Sequence, residues 1–292
     1  MDQYENLRKG EKGAWLSIGA YLFLSAVKLI AGYTGDSEAL RADGFNNLSD
    51  IIASVAVLIG LRISQRPPDE NHHYGHLRAE TISSLFASFV MGLIGLQVLY
   101  SAFMNLLHPT DEIPSFFTAA VAFFSAVIMY GVYRFNIKLS RQIDSSAVKA
   151  AAYDNRSDAL VSIGAGIGIT GAVLGFPILD AITAILVALI ILKTAVDIFR
   201  EAVHALTDGF DEDEVETLSF LIRKVPGVLV LRDFKGRTHG NTMFVDLTVE
   251  VDPSLNVVQS HRITEEIEQK IHRVNPACII HVHIEPFFPQ EE

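Results

Sequence analysis

The sequence predicts an α-helical polytopic membrane domain followed by a small α/β cytoplasmic domain. Half of the 292 residues are hydrophobic, and the mean hydropathy is positive, which excludes a disordered chain and an ordinary soluble domain. The apolar residues gather in the first two hundred positions, whereas roughly the last eighty are polar and acidic. Within the apolar part, hydrophobic runs recur at the length of about 20 residues that a helix needs to cross a bilayer.

Six spans satisfy that length: Gly13–Tyr33, Leu40–Ser64, Ile82–Leu107, Ser115–Ile137, Val148–Leu174 and Leu179–Ala202. Their connections alternate in charge. Thr34–Glu38, His108–Ile113 and Gly175–Ile178 carry no Lys or Arg. The other side holds Arg8, Lys9, Lys12, Arg66, Arg78, Arg134, Lys138, Arg141 and Arg200. By the positive-inside rule, a multi-pass protein of the cell membrane is expected, with both termini cytoplasmic. The polar start MDQYENLRKGEKG shows no pattern of a cleavable signal peptide. Gly164, Gly168, Gly171 and Gly175 in the fifth span suit close helix packing. Lys28 and Lys193 either snorkel to the surface or pair with a carboxylate.

The membrane domain is expected over residues 1–210 and the cytoplasmic domain over 211–292. In the latter, Val215, Leu218, Ile222 and Val225 form a helical stripe that ends at Pro226-Gly227. A strand is expected at Val228–Phe234. Met243, Val245, Leu247, Val249 and Val251 alternate with polar residues as a half-buried strand. Ile263, Ile267 and Ile271 mark a helix near Val257–Val274, and Cys278–Glu285 closes the order αββαβ as a last strand. So small a module is expected to need a partner for stability.

A net charge of −11 argues against nucleic acid, whose binding needs a basic footprint. The single cysteine, Cys278, excludes an internal disulfide and a cysteine-based metal cluster.

Asn46 and Asp50 in the second span, and Asp154 and Asp158 in the fifth, each stand four residues apart, on one face of a helix. An ionised carboxylate at the bilayer centre costs at least ~2.5 kcal/mol. Helix bridging alone gives no reason for paired aspartates, which repel one another unless a cation or proton intervenes. A divalent metal held between the two helices does. Asp69, His72 and His76 in the loop PPDENHHYGHLRAE, with His73 as an adjacent candidate, have the donor types of a first-row metal site; a solvated polar loop is the bland alternative. In the tail, His281, His283 and Glu285 share one face of the last strand, and Asp246, His261 and His239 are further candidates.

With these residues the chain resembles the cation diffusion facilitator family over nearly its whole length. The likeness rests on six spans, on NNLSD (residues 46–50) and DNRSD (residues 154–158) together, on PPDENHHYGH, and on DLTVEVD and HVHIEP in the tail. It implies a ferredoxin-like, metallochaperone-type tail and a homodimer in membrane lipid that exports divalent metal in exchange for protons by alternating access. It also places the transport site on Asn46, Asp50, Asp154 and Asp158 and a loop site on Asp69, His72 and His76. Cytoplasmic sites fall on Asp246, His261, His283 and Glu285, with His239. Zinc-transporting members typically begin one membrane motif with a histidine; here those positions are Asn46 and Asp154, and Thr248 also stands where some carry a histidine. Oxygen-only donors suit Mn²⁺, as in the family's manganese-exporting branch, ahead of Zn²⁺ and then Fe²⁺. No prosthetic group is expected. The remote alternative is an intramembrane metalloenzyme, but neither H-E-x-x-H nor G-x-S-x-G occurs, so no enzyme is expected.

Overall fold

The computed structural model describes residues 3–34, 38–107, 115–176, 178–240 and 242–288. Of the connections expected at 34–38, 108–113 and 175–178, residues 35–37, 108–113 and 177 lie outside the described residues. The chain divides into two units, residues 4–202 and 203–292 with the first three residues.

The first unit is built from long helices: α1 (Gln3–Thr34), α2 (Glu38–Ser64), α3 (Arg78–Leu107), α4 (Phe116–Ile143), α5 (Ser146–Val173) and α6 (Ile178–Leu206). Among the described residues, four stretches are long and apolar enough to cross a membrane: Asn6–Thr34, Asp43–Ser64, Arg78–Met104 and Phe116–Ile143. The 28 residues of α5 and 29 of α6 each rise about 42 Å, enough for a bilayer core of about 30 Å. Helix α5 carries Lys149, Asp154, Arg156 and Asp158 along its length, which makes it less apolar than α3, α4 or α6.

The unit is inverted relative to a water-soluble bundle. Trp15, Phe23, Ile30, Phe89, Leu93 and Val127 face outward. Ser17, Lys28, Asn47, Asp50, Asn136 and Asn155 are each fully buried. An apolar shell around a polar interior is what hydrocarbon solvent selects. Close helix approach is set by glycine where a side chain has no room. A Cβ on Gly60 of α2 would lie 1.6 Å from Ser83 Oγ of α3, and one on Gly166 of α5 would lie 2.9 Å from the Phe123 ring of α4. Of the glycines expected to pack, Gly164 makes only ordinary contact and Gly175 ends α5 with φ +87.

The second unit contains α7 (Glu212–Arg223), β1 (Val230–His239), β2 (Thr242–Val251), α8 (Val257–Val274) and β3 (Cys278–Pro286). Strand β2 is central, antiparallel to β1 and parallel to β3, so α8 is the crossover between β2 and β3. Leu218, Ile222, Val245, Leu247, Val249, Ile263, Ile267 and Ile271 form the core between helices and sheet. Asn256 and Gln259 close a reciprocal capping box at the start of α8. Strand β1 runs five residues beyond the expected Phe234, because Lys235 to His239 continue the ladder with Asp246 to Thr242. Gly236 belongs to that stretch because the Phe210 ring lies 2.6 Å from where its Cβ would be.

Candidate metal centre

Helices α2 and α5 pack against each other, and their four-residue motifs face inward. Asp50 is 0% exposed, Asp154 6% and Asp158 5%, and Asn46 is half-buried. The three carboxylates lie close enough for their charges to interact directly. Asn46 Nδ2 donates to Asp50 Oδ2 at 3.3 Å, which leaves its own carbonyl oxygen for another partner. Asp50 Oδ1 is buried with no hydrogen-bond partner among the described residues. An orphaned anionic oxygen is expensive in an apolar interior unless a cation or a proton reaches it.

Tyr21 of α1, which the sequence reading passed over, completes this cluster. Its hydroxyl lies 3.1 Å from Asp154 Oδ2, is hydrogen-bonded to Asp158 Oδ2, and accepts from Asn155 Nδ2 at 3.0 Å. Asn155 Oδ1 in turn takes Ser17 Oγ at 3.0 Å and Asn136 Nδ2 at 2.9 Å. The signal was present in the sequence. Ser17, Tyr21, Ser25 and Lys28 repeat at helical spacing along an otherwise apolar span, and all four are buried. Lys28 pairs with a carboxylate and does not snorkel: its Nζ lies 2.7 Å from Asp43 Oδ2.

The loop between α2 and α3 gathers Asp69, His72 and His76, whose ligand atoms all lie within 4.8 Å of one another. His72 Nδ1 is 3.1 Å from Asp69 Oδ1, and His76 Nε2 is 3.6 Å from Asp69 Oδ2. The backbone amide of Asn71 and then that of His72 donate to Asp69 Oδ1, and they hold this exposed carboxyl below the usual carboxylate range. Gly75, with φ +73, supplies the left-handed turn that brings His76 back to Asp69. His73 is exposed and does not join the group.

Of the candidates of the second unit, His283 Nε2 lies 3.7 Å from Glu285 Oε1, and among the described residues they form no cluster of three ligating groups. Asp246, His283 and Glu285 share the polar face of the sheet, where Thr248 pairs with His283 in register and Glu250 with Glu285. Arg237 Nη1 holds Asp246 Oδ2 at 2.9 Å, and Arg232 Nη1 holds Glu285 Oε2 at 2.6 Å and Glu250 Oε1 at 3.2 Å. Arg232 reaches both because it sits at the irregularity between Leu231 and Asp233 in the β1 ladder. His261 lies exposed on α8, where Nε2 is 3.8 Å from Glu265 Oε1. His239 is buried at the end of β1 with its ring centroid 4.7 Å from that of Phe244.

The description "cation efflux transmembrane domain" matches residues 14–207, and "cation efflux protein, cytoplasmic domain" matches residues 210–287. The chain belongs to the cation efflux family. This family member is 52% identical to the manganese efflux system protein MneS of Bacillus subtilis, over 98% of this chain and 99% of that one. It is 30% identical to manganese efflux system protein MneP of the same organism, over 96% and 97%. It is 32% identical to the magnetosome protein MamB of Magnetospirillum gryphiswaldense, over 92% and 91%. The chain is a membrane transporter for divalent metal cations, with a helical transmembrane domain and a cytoplasmic domain containing a small sheet.

Proposed function

We propose that this cation efflux protein exports Mn²⁺ from the cytoplasm in exchange for protons, as a homodimer working by alternating access. The observation that carries the reading is the oxygen-only donor set at the buried site. Asp50, Asp154 and Asp158 supply carboxylates and Asn46 a neutral carbonyl, without an imidazole or thiolate. Such donors suit Mn²⁺, whereas imidazole favours zinc. The similarity to two proteins named for manganese efflux supports the same metal.

In this reading all six long helices cross the membrane, and both termini are cytoplasmic, as the Lys and Arg distribution favours. Mn²⁺ enters from the cytoplasm and sits between α2 and α5. Helix rocking then exposes the site to the outside. Carboxylates that lose their cation in an apolar interior take up protons, so metal release and proton uptake are one exchange.

Asp69, His72 and His76 are proposed to hold a first-row metal in the cytoplasmic loop. Zn²⁺ is the second reading for the cargo, and it rests on the two imidazoles there. A ferredoxin-like cytoplasmic domain would associate the two protomers. Metal binding at Asp246 or Glu285 requires displacing Arg237 or Arg232; His283 already stands 3.7 Å from Glu285, whereas His239 and His261 would have to come from a rearranged or dimeric arrangement.

The Asp158→Ala variant tests the transport site. It is expected to insert normally and to lose Mn²⁺ flux into everted vesicles. Flux equal to the wild type would refute the assignment.

A further inference from the structure

We infer that the Tyr21 hydroxyl determines ion specificity at the transport site, by restricting each α5 aspartate to a single oxygen for the cation, so that Mn²⁺ is accepted and Ca²⁺ refused. This rests on the transport reading above.

Each of the three buried carboxylates has its Oδ2 atom engaged. Asn46 Nδ2 holds that of Asp50 at 3.3 Å, and the Tyr21 hydroxyl faces those of both Asp154 and Asp158. Asp50 Oδ1 remains buried and has no hydrogen-bond partner among the described residues. A phenol has one hydrogen and two acceptor lone pairs. The hydrogen is divided between the two aspartate oxygens, and a lone pair takes the Asn155 amide at 3.0 Å.

The phenol oxygen is fixed in place. Tyr21 is 0% exposed and packs with Leu24, Met129 and Ala159 from three helices. Its partner Asn155 is held in turn by Asn136 Nδ2 at 2.9 Å. Hydrogen-bonding partners of this kind orient metal ligands, and their loss typically costs about 10–100-fold in affinity or activity.

A carboxylate oxygen that accepts a hydrogen bond is the weaker donor of the two and is held in place by that bond, which favours binding the cation through Oδ1 alone. Three such carboxylates and the Asn46 carbonyl make four donors, and two waters complete the octahedral oxygen set that Mn²⁺ accepts. Ca²⁺ takes six to eight oxygens at about 2.3–2.6 Å and gains from bidentate carboxylates. Without the hydroxyl, Asp154 and Asp158 are free to chelate with both oxygens. The site then gains the coordination number that Ca²⁺ prefers.

The test is Ca²⁺ inhibition of Mn²⁺ flux by the full-length protein in vesicles, for wild type, Tyr21→Phe and Ser125→Ala. Tyr21→Phe keeps the buried ring. Ser125→Ala removes another buried hydroxyl, one bonded within its own helix to the Val121 carbonyl. The expected result is that the ratio of the Ca²⁺ inhibition constant to the Mn²⁺ KM falls by about tenfold or more in Tyr21→Phe and stays unchanged in Ser125→Ala. An unchanged ratio in Tyr21→Phe, or an equal fall in both variants, would overturn the inference. Displacement of bound Mn²⁺ by Ca²⁺, followed by electron paramagnetic resonance on the purified proteins, reads the same ratio if Tyr21→Phe transports too slowly. Loss of all Mn²⁺ binding in Tyr21→Phe would also overturn the inference, since the hydroxyl would then be needed to form the site at all. Wild-type vesicles that move no Mn²⁺ would sink the transport reading, while the displacement ratio would still decide the role of Tyr21.

Discussion

Lys28 of α1 and Asp43 of α2 form an ion pair of 2.7 Å whose side chains are 0% and 8% exposed, inside a unit whose outer surface is apolar. Lys28 Nζ also lies 3.4 Å from Asn47 Oδ1 and 3.3 Å from Ser162 Oγ. Asp43 stands seven residues before Asp50, two helical turns along the same face of α2. The pair is neutral as a unit.

Removing one partner of a buried pair leaves an uncompensated charge, at a cost of about 3–5 kcal/mol. Lys28→Met is therefore expected to lower the thermal stability of the detergent-purified protein strongly. The double variant Lys28→Met/Asp43→Leu is expected to recover most of that loss, because no orphaned charge remains. A single variant as stable as the wild type would show that the pair contributes nothing.

Arg237 and Arg232 on the sheet hold Asp246 and Glu285, so a metal bound there would have to displace them. Exposed pairs of this kind are worth about 0.2–1 kcal/mol, so Arg237→Ala is expected to tighten Mn²⁺ binding to that domain by at most about fivefold. The background should be Asp158→Ala, so that the transport site is silent, with calorimetry as the readout. Weaker binding in Arg237→Ala would mean that the arginine supports the site and does not block it.

Burial, with a smaller contribution from the nearby Glu214 charge, pushes the Cys278 thiol up to about 11 from 9.0. A value raised in the folded state means that the unfolded chain releases this proton first. The thiol's contribution is therefore complete below pH 9 and is lost as pH rises toward about 11. The native protein at pH 8 is expected to resist alkylation by iodoacetamide and to react after denaturation. Cys278→Ala should flatten the alkaline loss of stability, and rapid native alkylation would contradict the burial argument.

Much of the architecture was legible because its signals are local. The helix expected at Val257–Val274 has those bounds in the structure, since Asn256 and Gln259 cap its start and Asn275-Pro276 ends it. The paired motifs on α2 and α5 were legible because four-residue spacing places Asn46 above Asp50 and Asp154 above Asp158. The end of β1 was not, since cross-strand pairing with β2 overrides the breaking tendency of Gly236. Tyr21 was missed because one hydroxyl in an apolar span resembles packing until the stripe from Ser17 to Lys28 is counted. The arginine pairs were beyond reach, because they depend on strand register and on the bulge at Arg232.

The most direct test of the oxygen-only site is metal flux under an imposed pH gradient, in sealed vesicles containing the purified protein, with Mn²⁺ and Zn²⁺ compared for wild type and Asp154→His. The account predicts that the wild type prefers Mn²⁺ and that the added imidazole shifts the preference toward Zn²⁺. Zinc transport by the wild type, left unchanged by the substitution, would contradict it and move selectivity away from Asn46, Asp50, Asp154 and Asp158.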